Sequence, residues 1–188
     1  MEPKLAPRER LMAAADELFY REGIHAVGID RVIEHAGVAK ASLYSAFGSK
    51  DELVRCYLER RHERRIVRLT EGVQRFTTPR LRVLGVFDLL HEALQAQEYR
   101  GCAFINARAE AVPGGPIDQV CDRMRAWIHA LFRDLAKDAG VATPEPLARQ
   151  LVLLYDGAII ASTMDRDRDG ALTARGIAEA MLDAALAR

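Results

Sequence analysis

The chain is poor in cysteine: Cys56, Cys102 and Cys121 are its only three, and they stand far apart. No pair has the spacing of a zinc site or a disulfide staple, which argues against a small cross-linked fold and for a reducing cytoplasm. Neither charge is in excess. Twenty-seven Lys and Arg meet 27 Asp and Glu, and residues 1–65 carry a net of only +1. Overall charge therefore gives no support to polyanion binding, and any such activity must rest on a local pattern. No apolar run approaches the roughly 20 residues that span a bilayer, and the stretch from Met1 to Arg10 is too polar for a signal peptide. We expect no membrane contact and a cytoplasmic location. A Gly-rich phosphate loop and a nucleophile elbow are both missing. His91-Glu92 lacks the second His of a zinc helix. The run from Asp165 to Gly170, DRDRDG, imitates the start of a calcium loop, but the position that needs a bidentate acid is Gly176. A charged inter-helix loop is expected there. We expect no metal, no cofactor and no enzyme activity.

What is present is helical periodicity. Hydrophobic residues make up 49% of the 188, enough for one compact domain or two small ones. Residues 1–7 hold two prolines and read as a frayed arm. From Arg8 to Glu22, Leu11, Ala14, Ala15, Leu18 and Phe19 recur at helical steps, and Gly23 ends the pattern.

The stretch from Gly28 to Lys50, GIDRVIEHAGVAKASLYSAFGSK, organises the rest. Ile29, Val32, Ile33 and Ala36 share a face, with Asp30 in the first turn, where an acid suits the helix dipole. Gly37 can take the left-handed backbone that ends a helix. A second short helix, about Ala39 to Phe47, turns Leu43 and Phe47 inward. Its other side carries Lys40, Ala41, Ser42, Tyr44 and Ser45, with no carboxylate between Val38 and Lys50. Small polar groups, a phenol and a cation without an acid suit phosphates and base edges. This is the pattern of a helix-turn-helix whose second helix enters the DNA major groove. After Gly48, Ser49 reads as a cap with Glu52 as its capping-box partner. Lys50 in the following first turn opposes the helix dipole, a cost that a bound phosphate would offset.

The run GVAKASLYSAFGSKDEL resembles the signature of the TetR family of bacterial repressors, a Gly-Val turn before a recognition helix ending Tyr-x-x-Phe-x-x-Lys. The resemblance covers about the first third of the chain. Gly28 stands where the family often has Thr or Ser, and Ser45 and Ala46 stand where it often has His or Tyr. The resemblance implies an all-α fold of about nine helices: a three-helix DNA-binding domain at 1–50 and a larger helical effector-binding and dimerisation domain at 51–188. It further implies a transcriptional regulator, a repressor of a palindromic double-stranded operator, released by a small molecule. The expected DNA-facing residues are Gly28, Ile29, Lys40, Ala41, Ser42, Tyr44, Ser45 and Lys50.

A helix from Lys50 to about Phe76 should join the two parts, with Leu53, Val54, Tyr57 and Leu58 inward. Its RRHERR cluster, Arg60 to Arg65, reads as a solvated face laced by turn-spaced charges. Further helices are expected from Pro79 to Gln97, Cys102 to Ala111, Ile117 to Ala139, Glu145 to Met164 and Thr173 to Ala187. The last two are rich in small residues, among them Gly157, Ala158, Ala178 and Ala184, and we expect them to pair with a second copy. Phe87, Leu90, Leu94, Phe104, Trp127, Leu131 and Tyr155 could line an effector cavity, with Asn106 and Arg108 as further polar points. Cys102 sits at a helix start, where a thiolate would be stabilised, but is expected to be a small buried residue. The rival reading is an all-helical carrier or enzyme whose N-terminal bundle is only structural.

Overall fold

A computed structural model describes residues 5–187, and everything regular in it is helical. Among these residues run α1 (Pro7–Glu22), α2 (Ile29–Ala36), α3 (Lys40–Phe47), α4 (Lys50–Gly72), α5 (Pro79–Leu94), α6 (Ala103–Glu110), α7 (Pro116–Asp138), α8 (Pro144–Met164) and α9 (Gly170–Leu186). A 3-10 turn, Val73–Arg75, follows α4. No helix is long and apolar enough to cross a membrane among the described residues.

α5 ends at Leu94, three residues short of Gln97, several other ends shift by one residue, and three further boundaries differ for identifiable reasons. Pro7 belongs to α1, because proline's fixed φ suits the first helical position; of the expected arm, residues 1–4 lie outside the described residues. The joining helix ends at Gly72. A Cβ there would come 2.7 Å from the Leu89 side chain, so glycine lets α4 and α5 meet closely. The final helix starts at Gly170 with Asp169 as its cap residue, three residues before Thr173.

Packing divides the chain into two compact units. The first comprises residues 1–63 and 102–122. Here α1 lies on α2 and α3, and its whole inward face, Leu11, Met12, Ala14, Ala15, Leu18 and Phe19, is buried. Val32, Ile33 and Ala36 of α2, Leu43 and Phe47 of α3, and Leu53, Val54, Tyr57 and Leu58 of α4 are buried in the same unit. Phe19 and Tyr57 cross edge to face at 5.6 Å. Each such side chain contributes roughly 1.5–3 kcal/mol by leaving water. That is what holds two eight-residue helices too short to persist alone.

The basic cluster of α4 is a solvated face only in part: Glu63 and Arg64 are exposed. Arg61 donates to the Asp16 carboxylate at 2.8 Å, and its guanidinium lies 3.8 Å from the centre of the Tyr20 ring. Arg60 reaches Glu9 at 3.3 Å. Both cations tie α4 to α1, a use that spacing along α4 alone could not reveal.

The second unit holds residues 64–101 and 123–188. In it α9 packs on α5 and α8. Thr78 caps α5 by accepting from the Leu81 amide at 3.2 Å. Arg80 of α5 grips Asp183 and Glu179 of α9, at 2.8 and 2.9 Å. Phe87, Phe132 and Tyr155 form a mutually packed trio with centroids 5.6–6.4 Å apart.

Candidate nucleic-acid interface

The turn between α2 and α3 is built from backbone geometry. Gly37 takes φ 61°, the left-handed region, and its amide bonds the Glu34 carbonyl at 3.0 Å. The Val38 amide reaches back to Ile33 at 3.3 Å, closing the helix end as a Schellman pair. Arg10 of α1 donates to the Gly37 carbonyl at 2.9 Å, so the turn is also fixed from outside the motif.

From that turn α3 leaves with Leu43 and Phe47 buried beneath it. Lys40, Ala41, Tyr44 and Ser45 are exposed, Tyr44 to 48%. Ser42 is half-buried. Gly28, the cap residue of α2, is exposed with extended backbone, and Ile29 beside it is half-buried. Gly48, at φ 75°, ends α3.

Ser49 then caps α4, its Oγ accepting from the Glu52 amide at 3.1 Å. Only half of the expected capping box forms. The Glu52 carboxylate turns away to Arg55 at 2.8 Å, and the Ser49 amide donates to Phe47 instead. Arg55 holds Glu52 below the usual carboxylate range, chiefly through that hydrogen bond. Lys50, half-buried, follows directly.

One charged neighbour was missed. The outer side of α3 has no acid of its own, yet Asp30 of α2 lies 2.8 Å from the Lys40 ammonium. Its hydrogen bond, more than its field, raises the Lys40 pKa above the ordinary value. Asp30 and Lys40 are ten residues apart on different helices, so no periodicity marks the pair.

The expected effector residues do not fall into one group. Phe87 and Tyr155 meet in the aromatic trio together with Phe132, which the expectation left out. Leu90 and Leu94 are buried on α5, while Trp127 and Leu131 on α7 are half-buried. Phe104 belongs to the other unit, edge-on to His62. Arg108 engages Asp118 at 2.9 Å and Asp122. Asn106 is exposed beside a water-sized cleft near Tyr20 and Tyr57. Cys102 is buried at the start of α6.

Comparison with known proteins agrees with this geometry. The family model for bacterial regulatory proteins, tetR family, matches residues 11–56, which span α1 to the first turns of α4. The chain is 31% identical over 139 residues to the HTH-type transcriptional activator FasR of Mycolicibacterium smegmatis. It is 27% identical over 106 residues to the HTH-type transcriptional regulator YjdC of Escherichia coli. These matches cover 74% and 56% of the chain, and 63% and 56% of those relatives' lengths. A crystal structure of a TetR-family transcriptional regulator from Streptomyces coelicolor superposes with a TM-score of 0.89 at 31% identity, covering 96% of each chain.

Proposed function

The chain belongs to the TetR family of bacterial regulatory proteins, and from that premise we propose that it is a sequence-specific, DNA-binding transcriptional regulator. It acts in the cytoplasm as a homodimer and represses from a palindromic operator until a small molecule releases it. The observation that carries the reading is the outer side of α3: Lys40, Ala41, Tyr44 and Ser45 stand exposed over a buried Leu43 and Phe47. A helix so mounted can enter a major groove without disturbing its own core.

Residues 1–50 are assigned to DNA and 51–188 to effector binding and dimerisation. This functional boundary is distinct from the packing units, the first of which also takes in residues 102–122. Tyr44 and Lys50 are assigned to phosphates. Lys40 and Ser42 face base edges or nearby phosphates, with Ala41 and Ser45 beside them in the groove. Gly28 and Ile29 bring the start of α2 to the backbone. For the effector, the side chains Phe87, Leu90, Leu94, Trp127, Leu131 and Tyr155 of the second unit are proposed as contacts, and Phe104, which belongs to the first unit, is left out of that set.

Dimerisation is supported by an uncovered face. Leu153, Gly157, Ile160 and Met164 follow one another along one side of α8 and are all exposed, Leu153 to 71% and Met164 to 78%. On α9, Ile177, Ala180 and Ala184 are exposed at matching steps. Ala158 and Ala178, by contrast, are buried within the chain, so only part of the small-residue pattern serves a partner. A two-fold pair would set two recognition helices about 34–36 Å apart on the duplex.

The test starts by selecting bound sequences from random DNA. Tyr44→Ala and Lys50→Ala are then compared on the selected operator. Each should lose about tenfold or more in affinity, the worth of a hydrogen bond to a charged phosphate, with folding unchanged. Full affinity in both variants would remove the assigned contacts. A reporter under the operator decides between repression and activation.

A further inference from the structure

A cavity of about 260 Å³ opens within the first unit. Its walls come from the connection between α1 and α2, the first turn of α4, the end of α6 and the start of α7. The apolar part includes Ile24, Val112 and Ile117, and Val112 is 77% exposed with nothing in the chain covering it. The polar part is four side chains. His25 and Glu110 face each other at 3.7 Å. The exposed Asp51 sits in the first turn of α4, where its carboxylate complements that helix's own dipole. Lys50 remains. It is half-buried at the cavity wall, and no carboxylate lies within ion-pair reach of its ammonium among the described residues.

We propose that this cavity binds a small organic acid, its apolar body against Ile24, Val112 and Ile117 and its carboxylate on the Lys50 ammonium. The charges select the class. Glu110, one of the two acids that line the cavity, already faces His25, whereas the Lys50 ammonium has no ion-pair partner among the described residues. An ammonium meeting a carboxylate at a partly desolvated wall forms a charge-assisted hydrogen bond, about twice as strong as a neutral one. The volume sets the size. It falls just below the 300–1,000 Å³ that drug-sized ligands fill, so the occupant is a small aromatic or branched acid.

A consequence rests on the functional reading above. If Lys50 holds an operator phosphate, acid and DNA compete for one ammonium, and each weakens the other by the same factor. Release would then act at the DNA surface itself.

The test uses the full chain with ¹³C-labelled Ile and Val methyls, titrated with benzoate, benzamide and benzylamine. Saturable shifts at Ile24, Val112 and Ile117 with benzoate, and far weaker ones with the other two, are expected. Lys50→Gln should weaken benzoate binding about tenfold or more. Val112→Glu, at an exposed position that keeps the fold intact, should weaken it by repulsion. No saturable shift, an equal response to benzamide, or undiminished binding in both variants overturns the proposal. The operator arm separates the two readings. Benzoate shifts that persist while Lys50→Ala keeps full operator affinity uphold the cavity and remove the phosphate contact. Operator affinity that falls in Lys50→Ala without any benzoate shift removes the cavity alone.

Discussion

The Lys40 ammonium at the start of the recognition helix rests 2.8 Å from the carboxylate of Asp30 on the helix before it. In the free protein a cation proposed to face DNA is therefore already paired with an acid. Both side chains are open to water, so the pair is easily exchanged. To engage a phosphate, Lys40 must leave Asp30 or share it, and the carboxylate itself repels the duplex.

Asp30→Asn should therefore raise operator affinity by about two- to fivefold, the range that exposed ion pairs span. With Lys40 released to one more phosphate, the slope of log K against log salt should steepen by about one. Thermal stability should fall only slightly, by the few tenths of a kcal/mol that an exposed first-turn carboxylate contributes. Binding isotherms at several salt concentrations check this, and an unchanged slope would argue that Lys40 makes no phosphate contact.

Gly37→Ala should destabilise the DNA-binding unit. At φ 61° a side chain is strained, and the new Cβ would stand 2.6 Å from the Arg10 guanidinium. The guanidinium can swing aside, but only by giving up its bond to the Gly37 carbonyl. A loss of about 1–3 kcal/mol is expected in urea denaturation. A variant as stable as the parent would show that the turn tolerates another geometry.

Arg61 offers a different test of the same unit. Its ion pair with Asp16 and its stacking on Tyr20 and Tyr57 are partly buried. Arg61→Ala should cost about 1–3 kcal/mol. Arg61→Lys should recover only a fraction, because an ammonium has no plane to stack and no fork to offer. Equal melting temperatures for all three proteins would mean that α1 and α4 hold together without this clamp.

Thiol chemistry should single out Cys56, which is half-buried while Cys102 and Cys121 are buried. Burial pushes the Cys56 and Cys121 thiols up from their ordinary values. A raised pKa means less thiolate at a given pH, so alkylation of Cys56 by iodoacetamide should be slow near neutrality. Its rate should keep climbing with pH beyond the point where an ordinary free thiol levels off. Peptide mapping after partial reaction checks the order, and a rate that levels near pH 8 would contradict the burial argument.

Much of the fold was legible because helices announce themselves locally. The three- and four-residue steps from Leu11 to Phe19, the Gly37 stop, and Leu43 with Phe47 each fixed an element or its inward face. Ends were less secure. Pro7 joined α1, the α4 helix stopped at Gly72, and α9 began at Gly170, each decided by a proline's φ, a close approach or a loop that local pattern does not rank. The capping box at Ser49 formed by half because Arg55 competed for Glu52.

By itself the order of residues determined the secondary structure, the buried side of each short helix and the presence of a DNA-reading motif, since all three depend on neighbours within a turn or two. Only the tertiary structure decided which charges meet. It set Asp30 against Lys40 and Arg61 against Asp16, and brought Lys50 into the wall of a cavity. Ion pairs and cavities are made by side chains far apart along the chain, and their meeting depends on how helices cross, which periodicity does not encode.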